Sequence, residues 1–222
     1  LIYKKLIKAG TKNHTVYGTL AAIHCKQTSF DAAIKLLHQA LSLNPNYPEG
    51  LNNLGIALKE KGNLCEAINS YNKALSLRPN YIQAHINLGN ALLEQKDFDT
   101  AIKSYKKALS LNSKHPEAFN NLGRSFKEKG NLCEAISCYE KAVSHKPDYL
   151  QAHINLGNTL LEQKNFEAAI ESYNKVLLLK PKHVGSLNNL GLSLQKKGNL
   201  EKAIDTYRNA ISLEPERLEI HN

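Results

Sequence analysis

Residues 51–68 read LNNLGIALKEKGNLCEAI, and residues 119–136 read FNNLGRSFKEKGNLCEAI, so that fourteen of eighteen positions agree across 68 residues. A looser copy, AHINLGNALLEQKDFDTAI at 84–102, returns at 152–170 with four changes. A Leu-Gly pair then keeps time at Gly55, Gly89, Gly123, Gly157 and Gly191, spaced by 34, with Ala21 in the same slot one step earlier. A fixed period in this range is the signature of stacked repeats. Such a chain has no single core, because each unit buries its faces only against its neighbours. The frame gives six units, 14–47, 48–81, 82–115, 116–149, 150–183 and 184–217.

Each unit reads as two helices. In 48–81, Leu51, Leu54, Gly55 and Leu58 recur at i, i+3, i+4 and i+7, which is one stripe of a helix. Pro48 and Pro116 fall at a first helical position, where proline is tolerated. A second stripe follows a short turn as Ala67, Ile68, Tyr71, Ala74 and Leu75. Ser29, Asn63, Asp97, Asn131, Asn165 and Asn199 precede the second helices as N-caps, with Glu66 and Glu134 placed to complete capping boxes. Pro45, Pro79, Pro147, Pro181 and Pro215 close them, and Ser113 is the one departure. Small residues such as Gly55, Ala67 and Ala74 are expected to bring neighbouring backbones close. Nothing reads as a strand, so the fold class is all-α.

A 34-residue helix–turn–helix carrying Leu-Gly, then Ala, Tyr, Ala and a closing Pro resembles the tetratricopeptide repeat. The resemblance covers about nine-tenths of the chain. It implies a right-handed superhelical solenoid whose first helices line a concave groove. The first unit departs from the pattern, with Ala21 for Gly, His24 for a large apolar residue and Leu37 for Tyr. Residues 1–13 align with the second helix of a preceding repeat, Tyr3 and Leu6 matching Tyr71 and Ala74, and 218–222 with the start of a following first helix. With no methionine in the chain, these ends are read as cuts in a longer protein.

The residues offer little chemistry. No phosphate-cradling glycine loop, His-Glu-x-x-His or Cys-x-x-Cys is present. His85, His153 and His221 share one slot, as do Glu60, Glu94, Glu128 and Glu162. Both sets are ladders with one member per repeat, about 10 Å apart if helices pack as usual. Zinc gathers its ligands within about 2.3 Å of one ion, so no metal site, cofactor or catalytic constellation is expected. The histidines are read as packing residues and the glutamates as a solvated face. Cys65 and Cys133 hold equivalent slots two units apart, too far to bridge. Free thiols point to a reducing, cytoplasmic compartment. The Asn13-His14-Thr15 sequon is a chance match there. No apolar run is long enough to span a bilayer, and no signal peptide is visible.

The net charge of +9 suggests nucleic acid until it is placed. The charged groove slots are Lys26, Lys59, Arg124, Lys127 and Lys196 against Glu49, Glu60, Glu94, Glu117, Glu128 and Glu162, a sum of −1. The surplus is read onto second helices and inter-repeat turns, among them Lys73, Lys107, Lys141, Lys175, Lys180 and Lys182. Phosphate binding requires a contiguous basic footprint, so nucleic acid is not the expected partner.

Asparagine is the distinctive groove residue. Asn53, Asn87, Asn121, Asn155 and Asn189 precede each Leu-Gly pair. Asn52, Asn120 and Asn188 double the motif in alternate units, while Asn90 and Asn158 extend it in the others. A carboxamide both donates and accepts, and so complements a peptide unit. The repeats of O-linked N-acetylglucosamine transferases are similar in carrying such a ladder, where it holds peptide substrate. The expected contacts are Asn53, Asn87, Asn90, Asn121, Arg124, Asn155, Asn158 and Asn189. Flanking them, Ile86, Leu93, Ile154 and Leu161 form apolar bands that alternate with polar ones at Asn52, Asn120 and Lys127, beside Lys59. The chaperone-tail clamp implied for some relatives needs Lys and Asn one turn apart. Here those slots read Asn52/Ile56, Ile86/Asn90, Asn120/Arg124 and Ile154/Asn158. The expected function is a non-enzymatic scaffold for an extended peptide or partner protein. The alternative is the substrate-presenting arm of a larger enzyme, such as a glycosyltransferase.

Overall fold

The computed structural model describes Tyr3, residues 5–6 and residues 9–213. The reading of 1–13 as a second helix falls partly outside that range. Pro215, His221 and residues 218–222 lie wholly outside it. Two compact units divide the chain, 1–113 and 114–222. Among the described residues the first unit holds α1 (His14–Lys26), α2 (Phe30–Leu43), α3 (Pro48–Glu60), α4 (Leu64–Leu77), α5 (Ile82–Glu94) and α6 (Phe98–Leu111). The second holds α7 (Pro116–Glu128), α8 (Leu132–His145), α9 (Leu150–Glu162), α10 (Phe166–Leu179), α11 (Val184–Lys196) and α12 (Leu200–Leu213). No strand occurs among the described residues.

Within each unit a first helix pairs with the second helix of its own hairpin. That second helix then meets the first helix of the next hairpin. The second helices supply the most deeply buried positions. Ala67, Tyr71 and Ala74, then Ala101, Tyr105 and Ala108, are fully buried in the first unit. Ala135, Tyr139 and Ala142, then Ala169, Tyr173 and Val176, are their equivalents in the second. The spacing i, i+4, i+7 keeps all three on one stripe.

The Leu-Gly glycine is explained by the tyrosine. A Cβ built on Gly55, Gly89, Gly123, Gly157 or Gly191 would fall 2.5–2.7 Å from a ring carbon of Tyr71, Tyr105, Tyr139, Tyr173 or Tyr207. No real Cβ tolerates such a contact. The expectation that these glycines bring backbones together is therefore corrected, because their neighbour is an aromatic ring of the same hairpin.

The turns follow the same beat. Gly62, Gly130 and Gly198 adopt left-handed backbone, with φ of 83°, 80° and 86°. Lys96 and Lys164 adopt it too, at 66° and 65°, although a side chain there meets its own carbonyl. Of the expected N-caps, Asp97 accepts from the Thr100 N–H at 3.2 Å. Asn165 and Asn199 accept from Ala168 and Lys202 at 3.4 Å. Ser29, Asn63 and Asn131 occupy the cap position without a side-chain bond, so the capping boxes with Glu66 and Glu134 are not formed.

His85 and His153 tie the chain as well as packing, and His153 is buried. Nε2 of each lies 2.9 Å from a proline carbonyl, that of Pro79 or Pro147. A carbonyl can only accept, so each Nε2 carries the proton. The placing of the positive surplus on second helices is also corrected. Those helices hold as many acids as bases. Among the described residues the surplus sits in the turns, at Lys61, Arg78, Lys114, Lys129, Lys146, Lys180 and Lys182 among others.

Candidate peptide-binding face

The asparagines lie on the first helices, where one residue per turn is left half-exposed beside the next hairpin. Their carboxamides bond across repeats. In the first unit, Asn87 Nδ2 donates to Asn52 Oδ1 at 2.9 Å. In the second, Asn155 Nδ2 donates to Asn120 Oδ1 at 2.9 Å, and Asn189 Nδ2 to Asn158 Oδ1 at 2.9 Å. The asparagine before Leu-Gly therefore reaches back to an oxygen of the preceding repeat. The acceptors Asn52 and Asn120 are almost fully buried, 3% and 2% exposed. Asn53 makes no such bond, because the preceding repeat carries Gly18 and Ala22 where others carry an acceptor.

Further partners complete the carboxamides. Gln83 Nε2 donates to Asn87 Oδ1 at 3.2 Å, and Gln151 Nε2 to Asn155 Oδ1 at 3.0 Å. Asn120 Nδ2 donates to Asn121 Oδ1 at 3.1 Å. The Tyr105 and Tyr173 hydroxyls donate to Asn90 and Asn158 Oδ1 at 2.7 and 2.8 Å. These glutamines and tyrosines were not singled out from the sequence. The available signal was spacing, four residues before one asparagine and fifteen after another. In repeat 48–81 the asparagine slot holds Ile56, and the buried Tyr71 hydroxyl is left without a hydrogen bond. Burial drives the Tyr71 phenol well above its ordinary range, with Glu60 and Glu94 adding to it.

The charged slots are also coupled from repeat to repeat. Lys59 Nζ stands 2.9 Å from Glu60 and 3.7 Å from Glu94. Lys127 meets Glu162 at 3.3 Å. Desolvation pulls the Lys59 pKa down, but the two carboxylates outweigh it and hold the ammonium above its usual value. Arg124 is exposed and makes no ion pair. The apolar slots differ between units. Ile86 and Leu93 are buried, 4% and 9% exposed, while Ile154 and Leu161 are half-buried. Asn188 is exposed.

At the turn between helices the coupling alternates. Lys61 pairs with Asp31, and Lys197 with Glu167 at 3.1 Å. In the intervening slots Gln95 Nε2 donates to Cys65 Sγ at 3.8 Å and Gln163 Nε2 to Cys133 Sγ at 3.3 Å.

Family models agree with this architecture. One described as TPR repeat matches residues 21–62, 57–96, 89–130 and 123–164. Another, described as tetratricopeptide repeat, matches 150–183 and 185–217. The chain belongs to the tetratricopeptide-repeat family. A curated tetratricopeptide-repeat relative is the small glutamine-rich tetratricopeptide repeat-containing protein 2 of Saccharomyces cerevisiae. It is 33% identical over 69 residues, 31% of this chain and 20% of the relative. The chain thus matches only about a fifth of that relative's length. Among solved tetratricopeptide-repeat structures, MamA from Desulfovibrio magneticus RS-1 is 25% identical with a TM-score of 0.71, covering 77% of this chain and 97% of that one. YrrB, described as a TPR protein with an unusual peptide-binding site, is 22% identical with a TM-score of 0.71, covering 82% of this chain and 94% of that one. At that identity YrrB speaks for the fold alone. No described helix is long and apolar enough to cross a membrane.

Proposed function

We propose that the first-helix face binds an extended peptide or partner protein, with the asparagine row holding the peptide backbone. The observation that carries this reading is the residual capacity of the row. Asn87 and Asn155 each commit one amide hydrogen to the preceding repeat, and a carboxamide carries two. Asn53 is half-exposed and makes no hydrogen bond. Donors repeated once per hairpin, on successive first helices of a unit, match carbonyls that recur along an extended chain. Asn90 extends the row in the first unit, and Asn121, Arg124, Asn158 and Asn189 belong to its counterpart in the second. Because Lys59 and Lys127 are already paired, the face reads mainly by hydrogen bonding, and affinity should vary mildly with salt.

The array used as bait, with mass spectrometry of what it retains, supplies the peptide. Asn53→Ala is then the cleanest probe, since it breaks no internal bond. One neutral hydrogen bond contributes about 0.5–1.5 kcal/mol, so affinity should fall several-fold, by similar factors for peptides of different sequence. Unchanged affinity for every retained peptide would remove the backbone-holding role.

A further inference from the structure

A cleft of about 410 Å³ opens in the first unit on the side of the second helices, away from the asparagine slots. Its walls are α2 and α4, and α3 forms the floor. Leu41, Leu51, Leu54 and Leu77 give it an apolar lining, and His38 and Lys73 are its basic members. No carboxylate lines it. The volume falls within the roughly 300–1,000 Å³ of ordinary ligand sites.

Leu51 helps to explain the opening. In the slot it occupies, His85 and His153 reach back to the proline carbonyl that closes the preceding second helix. An aliphatic side chain cannot make that tie to Pro45. Lys73 is exposed and has no ion pair. The acids of the flanking second helices lie in the first turns of α2 and α4, Asp31 two helical turns before His38 and Glu66 two before Lys73. An apolar floor with basic groups and no acid is complementary to an apolar side chain flanked by carboxylates.

We propose that this cleft is a second binding site, which takes a large aliphatic or aromatic side chain from an acidic peptide segment of a partner protein. The anchor side chain enters between α2 and α4, and neighbouring carboxylates meet Lys73. The site is independent of the asparagine row and stands whether or not that row binds peptide.

The test uses three fluorescein-labelled hexapeptides with the whole array, read by fluorescence anisotropy. Glu-Asp-Leu-Phe-Glu-Asp should bind, while Lys-Arg-Leu-Phe-Lys-Arg and Glu-Asp-Ala-Ala-Glu-Asp should each bind about fivefold or more weakly. Lys73→Glu should weaken the acidic peptide on the order of fivefold. Leu51→His, which installs the closing tie seen at His85 and His153, should weaken it about tenfold or more. Lys180→Glu in the second unit should leave it unchanged. The proposal is overturned if the array does not bind the acidic peptide. It is equally overturned if Lys180→Glu weakens binding as much as Lys73→Glu, or if Lys73→Glu, at an exposed position that does not threaten folding, has no effect. Loss of binding on Asn53→Ala alone would assign the peptide to the first-helix face instead.

Discussion

A Cβ on Gly89 would stand 2.7 Å from Cε1 of Tyr105, well inside the contact distance of the ring. The glycine of the first helix and the tyrosine of the second are thus two halves of one fit. In the first repeat the same slots hold Ala21 and Leu37, and both are fully buried. The departures from the pattern there come as a pair. A methyl group has been added where the ring has been lost.

Gly89→Ala should therefore destabilise by about 1–3 kcal/mol through overpacking, although alanine otherwise favours a helix interior by about 1 kcal/mol. Tyr105→Leu in the same chain should recover part of the loss, giving a favourable coupling on the order of 1 kcal/mol in a double-mutant cycle. Urea denaturation of the four proteins measures it. Strictly additive losses would show that the ring is not what excludes the methyl.

The tyrosines should answer differently to removal of the hydroxyl. Tyr71→Phe should leave stability unchanged or raise it, because its buried oxygen has no hydrogen bond. Tyr105→Phe takes the donor from Asn90 and should cost about 0.5–1.5 kcal/mol. Equal effects in thermal melts of the two variants would contradict the hydrogen-bonding pattern.

Asn87→Ala should lower stability by about 1–3 kcal/mol, because it strands the buried Asn52 oxygen as an unsatisfied acceptor. Asn53→Ala, with no bond to lose, should be neutral or slightly stabilising, since alanine has the higher helix propensity. Melting temperatures of the two variants, compared side by side, give the answer.

Lys96→Gly should stabilise by about 0.5–1 kcal/mol. It relieves the left-handed strain of a residue with a Cβ, partly offset by the greater freedom of glycine in the unfolded chain. The converse change, Gly62→Lys, should destabilise by a similar amount. Chemical denaturation of both proteins checks the sign.

Acid should weaken the first unit in part through Glu49. Desolvation opposes ionisation of this carboxyl, but a backbone N–H and Arg78, whose Nη2 lies 2.6 Å away, outweigh it and hold the pKa below its ordinary 4.5. A depressed folded value means stability that is present above the ordinary value and lost as pH falls through the folded one. Glu49→Gln should therefore be less stable than the parent near neutral pH, by a fraction of the ~1 kcal/mol upper range of exposed pairs. The difference should vanish once the parent carboxyl is protonated. A gap between the two denaturation curves that persists at low pH would rule out the ionised pair as its source.

The hairpins were legible because their signals are local. Leucine stripes, the turn residues at Gly62 and Gly130, and the prolines that follow second helices at Pro45, Pro79, Pro147 and Pro181 act within a few positions of themselves. The asparagine row was legible as a row, but its bonds were not. Whether Asn155 faces solvent or Asn120 depends on how two first helices sit side by side, and on a side-chain rotation that spacing does not encode. For the same reason Ala is not the mild substitution at Asn87 that helix propensity alone suggests. The pairing of Gly89 with Tyr105 was hidden in plain view, since both positions recur at 34 but nothing in one copy says that they touch. Only the first repeat, where both change together, carried that hint.

The cross-repeat bonds also bear on how such a chain can change its length. Asn52–Asn87, Lys59–Glu94 and Cys65–Gln95 reappear 68 residues on as Asn120–Asn155, Lys127–Glu162 and Cys133–Gln163. Excising 34 residues, 82–115, would bring Lys129 rather than a glutamine opposite Cys65. Excising 68 residues, 82–149, would bring Asn155, Glu162 and Gln163 opposite Asn52, Lys59 and Cys65, and every partner would again be of the right kind. For this chain the doublet is the step that keeps all three contacts in kind, whereas loss of a single repeat would keep asparagine opposite Asn52 and glutamate opposite Lys59 but not the partner of Cys65.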